Sequence, residues 1–234
     1  MAQYLSNLPI GAKIKFGRHS INGETPFEIP WIIVDKNHAG YPENSVTILT
    51  ESIIDQRCFD AKEPGNTVDG KYYRDEFGNN EFHVSNIKQW LNSDAGAGAW
   101  FSKQHSYDQA PDRGYVYNNE TFYSSRPGFL NLFTADEKKQ ILPTTLYNYV
   151  CVFDDAWTHS WAYSTVNVFL LSEAEVIGYA SQAYGMEGSH IPYFTGDKYL
   201  APLHPNVRTY GLATSKPTGN VVWMTRSALK RDGQ

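Results

Sequence analysis

The side chains able to do covalent, metal or acid–base chemistry in this 234-residue chain are two cysteines, seven histidines and scattered acids. Their spacing does not gather them. Histidines 19, 38, 83, 105, 159, 190 and 204 contain no i, i+4 pair that would place two imidazoles on one helix face for zinc. Cys58 and Cys151 are too few for a thiolate cage, and each reads as a small buried hydrophobe. Asp154 and Asp155 are adjacent, so in a strand they point to opposite faces and form no acid/base pair. There is no Gly-x-Ser-x-Gly elbow and no Gly-Lys-Ser/Thr loop, and Gly96-Ala97-Gly98 lacks the third glycine of a dinucleotide fingerprint. Asp69, Asp75, Glu76, Asn79, Asn80 and Glu81 could offer oxygens to calcium, but the segment does not match an EF-hand loop and reads as a solvated loop. The expectation is therefore no catalytic residue, no metal ligand and no cofactor.

Binding residues stand out more clearly. In Trp157-Thr158-His159-Ser160-Trp161-Ala162-Tyr163 the residues Trp157, His159, Trp161 and Tyr163 share one parity. In extended chain that puts all four on one side. A strip of flat rings suits sugar stacking or a protein contact, because each buries a large area at small entropic cost. The same strip would serve equally as core or as intersubunit packing, and sequence leaves both open. A second set, Tyr107, Tyr115, Tyr117, Phe122 and Tyr123, lies in a polar stretch rich in Asp, Asn and Arg, a composition of recognition loops and equally of loops that fold onto their own domain.

The elements that would position these residues are short. Strand candidates are Lys13 to Phe16, Glu28 to Asp35, Ser45 to Thr50, Tyr149 to Phe153, Val166 to Leu171 and Val221 to Thr225. Asn22-Gly23 is a turn signal between the first two. Ser85 caps a helix whose Ile87, Trp90 and Leu91 form one apolar stripe. Thr134 with Glu137 and Ser172 with Glu175 are two capping boxes. The first opens a helix that Pro143 must stop, and the second a helix with Val176 and Tyr179 on one side. Short strands, three short helices and long loops make an α+β pattern in one domain spanning residues 1–234.

Composition narrows the function classes. With 20 basic against 25 acidic side chains, the net charge of −5 disfavours a nucleic-acid binder. The longest apolar runs, Trp31 to Val34 and Val168 to Leu171, are too short for membrane insertion, and the first residues carry no secretory signal pattern. The chain holds 16 Tyr, 12 Phe and 6 Trp, which either fill a core or line a surface. Trp31, Trp90, Phe129, Phe133, Phe169 and Trp223 fall in fold-defining segments and are expected inside. The rings from Tyr107 to Tyr123 and from Trp157 to Tyr163 are expected to face a partner.

Several segments together resemble a family. They are Trp31 to Pro42, Phe77-Gly78-Asn79-Asn80, Ser85 to Ser93, Trp100 to His105, Pro127-Gly128-Phe129-Leu130 with Phe133, and Val168 to Val176. In order and spacing, from about Gly11 to Ser227, the chain resembles an uncharacterised domain family of Firmicutes and their phages, found in tail and virion-associated proteins. The resemblance implies a C-type-lectin-like fold, with twisted antiparallel sheets, short helices and long loops, related to the formylglycine-generating enzymes. Family members continue past a Trp-Trp-Leu-Arg strand to a closing strand. Here the counterpart is Trp223-Met224-Thr225-Arg226-Ser227, close to the last residue Gln234, so the expectation is a domain lacking the family's C-terminal strands, either with an open sheet edge covered by another chain or as a naturally trimmed variant.

The resemblance implies a non-enzymatic structural protein of a phage or phage-like particle, located in the virion. It would recognise a host-surface glycan or protein, contact other virion or tail proteins, and form a homo-oligomer or sit embedded in an assembly. A purely architectural subunit is the nearest alternative. An oxidase of the formylglycine-generating type would need a cysteine pair to bind copper, and Cys58 and Cys151 lie in unrelated contexts.

Overall fold

The computed structural model describes residues 4–21, 23–66, 74–116, 122–150, 160–178 and 187–194. Within them the chain is mixed α and β, with two antiparallel sheets and a few short helices. Strands β1 (Lys13–His19), β2 (Phe27–Lys36) and β3 (Val46–Thr50) form one sheet in that order. Strands β4 (Thr144–Val150) and β5 (Ser160–Val166) form the other.

Irregularities let the first sheet serve two clusters of apolar side chains. β1 slips register against β2 between Lys15 and Arg18. Gly17 sits in that bulge at φ +68°, where a Cβ would lie 2.2 Å from the Phe133 ring. No L side chain fits there, and the kink lets the strand close over Phe133. β2 shifts register against β3 between Ile33 and Asp35, so the consecutive residues Ile33 and Val34 are both buried. Ile29 and Trp31 point into the main cluster and Val34 into the second, with Leu171, Val176, Ile191 and Phe194.

The three caps read from sequence are present. Helix α1 (Arg74–Phe77) is a single turn, and α2 (Asn86–Leu91) follows it. Ser85 Oγ accepts from the Lys88 amide, and Ile87, Trp90 and Leu91 are buried. Thr134 and Glu137 close the reciprocal capping box of α3 (Ala135–Gln140), which ends short of Pro143. Ser172 and Glu175 do the same for α4 (Glu173–Ile177), and Gly178 stops it in the left-handed conformation.

The core rings Trp31, Trp90, Phe129 and Phe133 are buried as expected, with Phe169 packed against both clusters and Trp223 outside the described residues. Tyr123 corrects the reading of its loop as a binding segment. Its ring is fully buried, stacks on Trp100 at 5.2 Å and 7°, and its hydroxyl donates to Cys58 O. A tyrosine flanked by polar residues still goes inside when a carbonyl waits for its O–H.

Two further expectations change. Val166 to Leu171 is not a strand: β5 ends at Val166, and the backbone beyond is held by a side chain. Asn92 Oδ1 accepts from the amides of Asn167 at 2.7 Å and Val168 at 3.0 Å, and its Nδ2 donates to Val168 O at 2.8 Å. A short apolar run outside a strand has no periodicity to reveal that. The strand expected from Tyr149 begins five residues earlier, at Thr144; residues 151–153 and Val221 to Thr225 lie outside the described residues.

The amide-rich segment is only in part the solvated loop expected: Asp75 and Glu76 are exposed, but Asn79 and Glu81 are buried, and Asp69 lies outside the described residues. Asp60 gathers it. Its carboxylate accepts from the Asn79 amide at 3.1 Å, Asn79 Nδ2 at 2.9 Å and the Asn86 amide at 2.9 Å. Asn86 returns the link by accepting from the Ala61 amide and donating to Asp108. Burial pushes the Asp60 carboxyl well above its ordinary range against those amide donors, and the neighbouring Asp108 and Glu63 add to the rise. These polar groups tie three loops to the start of α2, so their first role is structural.

Candidate recognition surface

The sequence Thr144-Thr145-Leu146-Tyr147-Asn148-Tyr149 alternates, and so does Trp161-Ala162-Tyr163-Ser164-Thr165-Val166. Antiparallel register places Thr145 opposite Thr165, Tyr147 opposite Tyr163 and Tyr149 opposite Trp161. On the inner face Leu146 and Val166 join the main cluster, and buried Asn148 donates to Ser164 Oγ at 3.0 Å. That anchors which face looks out: a slip of one residue would turn every ring inward.

The outer face is a ladder of three cross-strand pairs. The hydroxyls of Thr145 and Thr165 are 3.0 Å apart. The Tyr147 and Tyr163 rings meet at 4.6 Å between centroids, and Tyr149 meets Trp161 edge-on at 5.3 Å. Exposure falls along it: Tyr163 is 62% and Tyr147 39% exposed, whereas Tyr149 is buried. The hydrogen bond with neighbouring Tyr147 holds the Tyr163 phenol above its ordinary range. Thr145, Tyr147, Tyr149, Trp161, Tyr163 and Thr165 include no carboxylate, imidazole or thiol. Such a face offers ring surfaces for stacking and hydroxyls for hydrogen bonding.

The residues expected to bind fare unequally. Trp161 and Tyr163 share one strand face as their parity predicts, on a strand rather than a loop. Trp157, His159 and Tyr117 lie outside the described residues. Tyr107 is half-buried and Tyr115 exposed, and neither belongs to the ladder. Tyr147 and Thr145 were missed; their signal was the Thr-x-Tyr-x-Tyr alternation just upstream of the strand expected from Tyr149.

Several titratable groups elsewhere among the described residues are engaged. His19 and His38 are buried, each 2.7 Å from an aspartate, Asp55 and Asp35 respectively. His83 lies 3.5 Å from Glu81 Oε2, yet burial first, then Lys88, Arg74 and His105, push its imidazole down to about 4. Glu81 gives little counterweight because Arg74 holds it at 3.1 Å. A base so weak is poorly matched to proton transfer at neutral pH.

The profile of a domain of unknown function, DUF6273, matches residues 43–234. The chain belongs to this family. No curated protein and no solved structure matches it. β1 and β2 precede the matched region of this DUF6273 domain, although Ile29 and Trp31 share the main cluster with α2. The segments that carried the resemblance lock onto one another in space. Trp90 Nε1 donates to Pro127 O at 3.0 Å, and the amides of Gly128 and Leu130 donate to Ala95 O and Ser93 O. Asn92 holds the start of the Val168 segment. These DUF6273 residues are thus fold determinants, while the ladder lies inside the matched region on the surface.

Proposed function

We propose that this DUF6273 domain is a non-catalytic recognition module of a phage or phage-like particle, C-type-lectin-like in fold, with its receptor face on the β4–β5 ladder. The antiparallel sheets, short helices and long loops support that fold, and the resemblance to virion-associated proteins motivates the particle. The observation that carries recognition is the exposed Tyr147–Tyr163 pair beside Trp161, with rigid rings and free phenol edges on a strand pair fixed from beneath by Leu146, Asn148 and Val166. Flat rings of this kind stack on the C–H faces of a sugar, and the phenols and threonine hydroxyls select among its hydroxyl groups.

The test is binding of the purified chain to bacterial cell envelopes and arrayed envelope glycans, with Trp161 contributing to the fluorescence signal. The Tyr147→Ala/Tyr163→Ala double variant keeps the inner face intact and is expected to lose about tenfold or more in affinity. Unchanged binding by that variant overturns the assignment of the face. Absence of the protein from purified particles overturns the virion assignment.

A further inference from the structure

Away from the ladder, a small pocket opens where the end of β1 meets the turn from Arg126 to Leu132. Its apolar side is Trp90 and Phe129, whose rings also contact His19 at 6.0 and 5.5 Å. Its polar side is Arg57, Arg126 and His19. Leu132 lies at the rim and is exposed, so the pocket reaches solvent.

The charges in this pocket do not balance. The Arg57 side chain is 6% exposed and packs 5.7 Å from the centroids of both Trp90 and Tyr123. One terminal nitrogen pairs with Asp55 Oδ2 at 2.9 Å and the other donates to Gln56 O at 3.1 Å. Its Nε is buried with no hydrogen-bond partner. Asp55 also holds His19 and the Gln56 amide, each at 2.7 Å, so its oxygens are taken. Arg126 has no hydrogen bond or ion pair from its guanidinium among the described residues, and its Nε is buried and unpartnered. Arg57 therefore has a carboxylate and Arg126 has none among the described residues, and two buried N–H donors have no acceptor. Buried charged donors left unsatisfied are costly, and an anion supplied from outside removes that cost.

We propose that this pocket binds the carboxylate of a small organic acid or acidic sugar, independently of the ladder. The free volume is about 20 Å³. One water needs roughly 10–15 Å³ on this measure, so the enclosed space holds little more than the two oxygens of a flat carboxylate and favours it over the bulkier tetrahedral phosphate. Guanidinium forks match a carboxylate in plane, and the aromatic side receives the carbon that carries it.

The experiment titrates the full chain with sodium acetate, sodium glucuronate, sodium phosphate and sodium chloride at constant ionic strength, reading tryptophan fluorescence and melting temperature. Acetate and glucuronate are expected to give saturable changes, with phosphate no more effective than chloride. Acetate alone binding identifies a simple organic acid; tighter glucuronate identifies an acidic sugar. Arg126→Gln, which breaks no ion pair, is expected to weaken binding at least tenfold with an unchanged urea midpoint. Leu132→Glu places a competing carboxylate at the exposed rim and is expected to weaken it as well. No saturable response to either carboxylate, tighter binding of phosphate, or equal affinity in both variants overturns the proposal.

Discussion

Replacing Asn92 with alanine tests how the ladder is held from its far end. Asn92 Oδ1 accepts the amides of Asn167 and Val168 at 2.7 and 3.0 Å, and Nδ2 donates to Val168 O at 2.8 Å and Lys88 O at 2.9 Å. Two N–H groups on one side and two carbonyls on the other fix the amide orientation without ambiguity. The alanine variant leaves two backbone amides and the Val168 carbonyl without their partner. Each such group costs about 1–3 kcal/mol when fully buried, and these are half-buried, so the lower end applies and the sum is about 3 kcal/mol. Urea unfolding at pH 7 should show that loss as a lower midpoint at unchanged slope. Asn92→Asp sharpens the test. It keeps an acceptor for the two amides but turns a carboxylate oxygen towards two carbonyls, so it should be unstable at pH 7 and recover on acidification, when a protonated oxygen can donate to Val168 O. A loss below about 1 kcal/mol for the alanine variant, or an aspartate variant indifferent to pH, would refute the reasoning.

Two further perturbations follow from the same geometry. Glu137 accepts from the Thr134 amide at 2.7 Å and from the Gly17 amide at 3.0 Å, and those bonds, Thr134 first, hold its carboxyl below the ordinary 4.5. A depressed folded value means that this stability is complete above pH 4.5 and is lost as pH falls through the folded value. Glu137→Gln should cost about 0.5–1 kcal/mol at pH 7, scaled down for solvent exposure, and the gap to the wild type should close at low pH in thermal melts. Gly128→Ala would set a Cβ 2.2 Å from Ser93 O, backbone that cannot swing away. A loss of about 1–3 kcal/mol is expected in the same urea assay, with Trp90 fluorescence reporting the disturbed Pro127 contact.

The helix caps were legible because they are local. Ser85, Thr134 and Ser172 each bond an amide three residues on, so identity and spacing suffice. The parity of Trp161 and Tyr163 was legible for the same reason, since extended chain alternates by geometry alone. The burial of Tyr123 was not, because it depends on Trp100 and Cys58, which are 23 and 65 residues away.

By itself, then, the sequence determined where three helices start, which rings could share a strand face, and the resemblance to a family through segments that lock α2 to the Pro127 turn. The tertiary structure decided the partners. Only cross-strand register sets Tyr147 against Tyr163, and only the meeting of β1, the Arg57 loop and the Arg126 turn puts two guanidiniums on one pocket wall. Those pairings close over long stretches of chain, and no short-range rule of spacing encodes them. They come from burying Leu146 and Val166 on one side of a strand pair and from packing Arg57 against Trp90 and Tyr123.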